Sequence, residues 1–131
     1  MKIRIQGNSI RIRLSKTEVD TLSDAGFLED QTSFGNTSFI YRLKSKSDQS
    51  ALSATYEDHQ ITMYVPEKFL SDWPDNNIVG LDANMPVSET ETLYLLLEKD
   101  FKCLDNVNED QSDNFENPKK NAGRNRRFLL T

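Results

Sequence analysis

The chain has 131 residues, of which 36% are hydrophobic and 28% charged, with a net charge of −5. Such a length makes one ordinary domain, able to bury about two thirds of its unfolded surface without help from a disulfide or a metal. No apolar run reaches the roughly 18 residues of a membrane helix, and a lone cysteine (Cys103) and a lone histidine (His59) exclude an internal disulfide and a Cys/His metal cluster.

Residues 2–14 alternate apolar and basic side chains on both sides of Gly7-Asn8. This is the pattern of a β-hairpin whose two-residue loop has glycine first, as a type II′ turn requires. Pairing across that loop sets Ile5 against Ile10 and Ile3 against Ile12. The opposite face then carries Arg4 against Arg11 and Lys2 against Arg13. Like charges directly opposite one another repel by up to about 1 kcal/mol, so four cations on one face call for a counter-anion or open solvent. Guanidinium groups grip phosphates and carboxylates bidentately, which makes Lys2, Arg4, Arg11 and Arg13 candidate anion-binding residues. The chain's own acids compete for the same role, Glu98 and Asp100 on the last strand above all.

Ser15 and Glu18 have the spacing of a capping box, Val19 and Leu22 give an inward stripe, and Gly26 is a stop signal, so a helix is expected between Ser15 and Gly26. Two strand-like stretches follow, residues 27–32 and 38–44, joined through Phe34-Gly35-Asn36. A second hairpin turns at Asp58-His59, with Leu52, Ala54, Tyr56, Ile61, Met63 and Val65 on its apolar face. There Ser53, Thr55, Thr62 and Tyr64 stand where the first hairpin has its cations. Pro66 opens a second helix that ends before Pro74, and strands over 78–83 and 92–99 close the pattern. A shift of 51 residues lays the first hairpin on the second, so the order strand, strand, helix, strand, strand is performed twice, in halves of about 1–44 and 52–99. The expected fold is α+β: an antiparallel β barrel or strongly curved sheet with two short helices and pseudo-two-fold symmetry.

Residues 105–116 are acidic and Asn-rich and read as a strap with Phe115 as anchor, completing a single domain over 1–117. Residues 118–131 carry Lys119, Lys120, Arg124, Arg126 and Arg127 and no acid, and read as a flexible basic tail. Without that tail the net charge is −10, which disfavours nucleic acid as a partner. Glu98, Asp100 and Cys103, followed by Glu109, Asp110 and Asp113, form a possible polar cluster near the end of a strand, where carboxylates and thiols have their pKa values moved. An ordinary charged strand end explains the same residues, so no catalytic residue is assigned. A calcium loop fails on spacing: starting at Asp105 puts Val107 at a ligand position, and starting at Asn106 puts Gln111 where glycine is required. No metal or cofactor is expected, and His59 reads as a turn residue.

The run from Gly7 to Lys16, followed by a short helix, resembles the swapped-hairpin DNA-binding domains of bacterial antitoxins and transition-state regulators. It departs from them in having Ser15 where proline is usual and no aromatic residue before Gly7. In that family two chains exchange hairpins to form a barrel. Residues 1–118 resemble a small bacterial family of uncharacterised proteins, through the basic hairpin, Glu98 to Phe101, Cys103-Leu104, Glu109-Asp110, Asp113 and Phe115 to Pro118. That resemblance implies a bacterial cytosolic protein and no chemistry. The expectation is a cytoplasmic, non-enzymatic binding or regulatory module, monomeric or dimeric, whose basic hairpin face meets an anionic ligand or protein partner or its own acids. An antitoxin-like DNA-binding protein and a small enzyme using Glu98, Asp100 and Cys103 are the alternatives.

Overall fold

The structure is a computed structural model and describes residues 1–101, 112–116 and 128–130. Strands β1 (Lys2–Ile5) and β2 (Ser9–Leu14) pair antiparallel, with Ile3 opposite Ile12 and Arg4 opposite Arg11. Gly7 takes φ +56° while Asn8 stays out of the positive region, the form of turn whose twist matches that of the flanking strands. Helix α1 (Lys16–Ala25) begins at a complete capping box: the Ser15 hydroxyl accepts from the Glu18 amide, and the Glu18 carboxylate accepts from the Ser15 amide at 2.9 Å. It ends at Gly26, whose φ of +71° only glycine adopts cheaply and whose N–H donates to Leu22 O.

Strands β3 (Phe27–Ser33) and β4 (Ser38–Lys46) form the second hairpin. Strands β5 (Ser53–Glu57) and β6 (Gln60–Pro66) form the third, turning at Asp58 and His59, both at positive φ. Where a helix from Pro66 to Trp73 is expected, α2 spans only Glu67–Leu70 and is followed by a 3-10 turn over Trp73–Asp75. Pro74 has no N–H to give to Leu70 O and disfavours a helical Trp73. The break turns the Trp73 indole into the core, where its Nε1 donates to Ile78 O at 2.8 Å. Strands β7 (Ile78–Pro86) and β8 (Thr92–Lys99) pair antiparallel, and the short β9 (Phe128–Leu130) adds to β7.

These strands make two open sheets, ordered β1-β2-β8-β7-β9 and β3-β4-β6-β5. The expected α+β antiparallel barrel is therefore incorrect: the described chain is mostly β with two short helices, neither sheet closes, and each holds a parallel pair near its centre, β2 with β8 and β4 with β6. Short loops do fold each hairpin antiparallel. Helix α1, however, carries the chain to the second sheet and α2 carries it back, so β2 meets a strand that the chain reaches much later, whereas β4 meets β6 with only β5 in between. Apolar faces of both sheets feed one core, with Ile12, Leu14, Leu81, Leu95 and Leu97 from the first, Leu43, Met63 and Val65 from the second, and Val19, Leu22 and Trp73 from the helical segments. Among the described residues no helix is long and apolar enough to cross a membrane.

Gly80 shows how closely β7 approaches β8. A Cβ at this position would lie 2.2 Å from Leu97 O and 2.9 Å from Glu98 Cα, both backbone atoms that cannot step aside. Gly80→Ala should lower stability by about 1–3 kcal/mol, the usual cost of overpacking, as measured by urea denaturation. An unchanged midpoint would mean that the two strands are not so close.

Candidate functional site

Alternation along β2 turns Ile10, Ile12 and Leu14 into the core and leaves Arg11 and Arg13 on the outer face of the first sheet. Parallel pairing with β8 places Arg13 beside Glu98, and the two form a 2.8 Å ion pair from Arg13 Nε to Glu98 Oε1. Arg11 Nε reaches the same oxygen at 3.5 Å. Lys2 Nζ lies 3.0 Å from Asp100 Oδ2, just past the end of β8. Both carboxylates are nearly buried while their basic partners stay half-exposed. Two acids thus stand among four cations, and the like charges of Lys2, Arg11 and Arg13 are held together by them.

Arg4 is placed differently. Its guanidinium donates to Gln6 Oε1 at 3.4 Å, and among the described residues no carboxylate lies within ion-pair distance of it. With Arg11, directly opposite on β2, it borders a depression of about 220 Å³ completed by Gln6, Ser9, Ile10 and Tyr94. Two bonds hold the hairpin tip over the start of β8: Asn8 Nδ2 donates to Thr92 O at 2.9 Å and the Tyr94 amide donates to Asn8 O at 3.1 Å. The Tyr94 hydroxyl donates to Asp82 Oδ2 at 3.0 Å. Burial first, then that hydrogen bond and the Asp82 charge, hold its pKa above the usual tyrosine value, so it remains a neutral donor near pH 7. The depression thus offers two guanidinium groups and the Gln6 amide, beside a Tyr94 hydroxyl whose proton is engaged by Asp82.

The other residues expected in a polar cluster are not all brought together. Glu98 and Asp100 serve the ion pairs above. Asp113 lies instead at the start of α1, where its Oδ1 accepts from the Thr17 hydroxyl at 3.0 Å and the Thr17 amide at 3.3 Å. Hydrogen bonds from Ser15 and Thr17, with Lys16 nearby, hold its carboxyl below the usual range, and a helix N-terminus favours that negative charge. Cys103, Glu109 and Asp110 lie outside the described residues, as do the basic residues expected in the tail. Among the described residues no group of three or more His, Cys, Asp and Glu side chains is arranged to hold a metal.

Lys99, given no role by its sequence context, stands out in the structure. It continues the inward row of Leu95 and Leu97 and is only 4% exposed. Its Nζ donates to Asn76 O at 2.9 Å and lies 5.7 Å from the centre of the Trp73 ring and 4.9 Å from that of Phe115. Phe115 itself packs edge-on against Phe101. The alternation of residues 95, 97 and 99 was the available signal for an inward lysine, hidden by the charges on either side of it.

The family model for DUF7009 matches residues 1–119. The chain belongs to this family of unknown function. No curated protein and no solved structure matches it.

Desolvation pushes the Lys99 ammonium down from the ordinary value of 10.5 to about 8, against an opposing pull from Asp75. Below pH 8 the amine is charged in both folded and unfolded chains, and its burial weakens the fold. Between pH 8 and 10.5 the folded chain gives up the proton before the unfolded one, so stability rises with pH across that window. Lys99→Met should lack this rise: its stability relative to the wild type should fall by about 1–3 kcal/mol between pH 8 and pH 10.5. Denaturant melts of both proteins at several pH values check this, and parallel curves would contradict it.

Proposed function

We propose that the protein is a non-enzymatic binding or regulatory module that takes up an anionic group, a carboxylate or phosphate of a small ligand or protein partner, on the outer face of β1 and β2. The observation that carries this is the depression beside Arg4 and Arg11, in which one guanidinium has no carboxylate within ion-pair distance among the described residues and the other is held only by a long contact to Glu98. Lys2 and Arg13 supply a positive surround while remaining tied to Asp100 and Glu98. An incoming anion gains charge-assisted bonds there without displacing a strong internal pair.

A cytoplasmic setting and a bacterial origin go with this proposal. So does an internal repeat, supported by the pairing of the two sheets: β1-β2-β8-β7 and β5-β6-β4-β3 follow the same pattern, and Lys2↔Arg13 stands 51 residues from Ser53↔Tyr64. An antitoxin-like DNA-binding protein is a second reading, favoured by one feature, the lateral pairing of each hairpin with strands of the other half.

Titration of the protein with inorganic phosphate, followed by NMR of the arginine Nε–H groups, tests the primary proposal. Saturable shifts are expected at Arg4 and Arg11, with Arg4→Ala weakening binding by about tenfold, the loss of one charge-assisted pair. Shifts spread evenly over all arginines, or an unaltered affinity in the variant, would contradict it.

A further inference from the structure

A second cavity lies at the other side of β8, away from the arginines. It measures about 410 Å³ and is bordered by Lys16, Asp20, Asp75, Asn76, Lys99 and Phe115. We propose that Lys99 is a reactive amine within this cavity, built to take up a small uncharged aldehyde as an imine.

Three observations support the assignment. The ammonium group is nearly buried at the end of an apolar row, yet among the described residues no carboxylate lies within ion-pair distance of it, and its hydrogen bond goes to a carbonyl, Asn76 O. A buried amine with a carboxylate only at longer range is costly, and the cost falls when the amine is neutral, which is also the nucleophilic form. Lys99 also borders an open cavity, so a small molecule can approach it. Finally, the faces of Trp73 and Phe115 flank the nitrogen. They would favour a delocalised iminium cation through the same quadrupole attraction that they exert on the ammonium.

The chemistry balances without an outside oxidant or reductant. The neutral amine of Lys99 adds its lone pair to the carbonyl carbon, forming a C–N bond. A proton passes from nitrogen to the former carbonyl oxygen, and loss of water then leaves the C=N bond. Asp20 and Asp75 border the cavity and are the carboxylates available to carry the proton. With Lys99 neutral, as the reacting amine must be, Lys16 offsets only one of Asp20 and Asp75, so the walls hold no surplus positive charge for a carboxylate, and an ammonium on the incoming molecule would repel the iminium that forms. A short, uncharged aldehyde follows from that balance and from the volume. The depressed pKa of Lys99 agrees with a nucleophile active near neutral pH. None of these residues belongs to the anion depression, so either proposal can fail alone.

The test treats the folded wild-type protein with limiting glycolaldehyde and sodium cyanoborohydride, which traps an imine by hydride addition at its carbon. Peptide mapping by mass spectrometry then locates the adduct. Lys99 should be modified about tenfold faster than the exposed Lys44 and Lys46, because far more of it is neutral at pH 7.5, and unfolding in urea should abolish the preference. Lys99→Arg should remove the early adduct. If that variant does not fold, the wild-type map decides alone. Adducts on surface lysines with Lys99 unmodified, or a preference for Lys99 that persists in urea, would overturn the proposal.

Discussion

Parallel pairing of β2 with β8, mirrored by β4 with β6, is the constraint on which the rest of the structure depends. It brings a strand ending at residue 14 beside one beginning at residue 92, and the first sheet has no centre until that has happened, whereas β4 and β6 form the centre of the second over a short connection. The entropy of closing so long a loop is set against burial of Ile10, Ile12 and Leu14 beside Leu95 and Leu97, each worth about 1.5–3 kcal/mol when fully removed from water. The helices serve this arrangement by crossing between the sheets. The one-turn α2 and the proline-broken segment after it let Trp73 fill the space under β7 and β8.

Both candidate sites follow from the register of that pairing. Arg13 stands opposite Glu98, and Leu14 opposite Lys99. Because side chains alternate across a strand, Glu98 emerges among the cations while Lys99 turns inward toward Trp73. A slip of one residue would exchange the two, stranding a carboxylate in the core and adding a cation to an already basic face. On the outer face Glu98 holds two arginines and Asp100 one lysine, leaving Arg4 to border the depression. On the inner side, residues 112–116 fasten to the start of α1 through Asp113 and place Phe115 against Lys99.

Local signals were legible in the sequence because local physics decides them. Gly7-Asn8 fixed a hairpin and its register, Ser15 and Glu18 a helix start, Gly26 a helix end, and Asp58-His59 a turn. Glu98 and Asp100 could be named as partners of the basic face because residues two apart share one side of an extended chain. What the sequence hid was non-local. Nothing in residues 9–14 says that their neighbour will be residues 94–99 rather than the next hairpin, and alternating patterns fit a closed antiparallel barrel as well as two open mixed sheets. Asp113 lies with α1, where the Thr17 amide and hydroxyl donate to its carboxylate and the helix N-terminus favours its negative charge. Tyr94, Gln6 and Ser9 carry no motif and enter the depression beside Arg4 and Arg11 only through the meeting of the hairpin tip with β8.

The pairing itself is most directly tested by native-state hydrogen exchange resolved along the chain. The amides of Ile10–Leu14 and of Leu95–Leu97 should exchange together, only through global unfolding and with one common free energy, as should those of the β4–β6 pair. Rapid exchange along residues 10–14 while residues 95–97 stay protected would show that the N-terminal hairpin is not an integral part of the sheet.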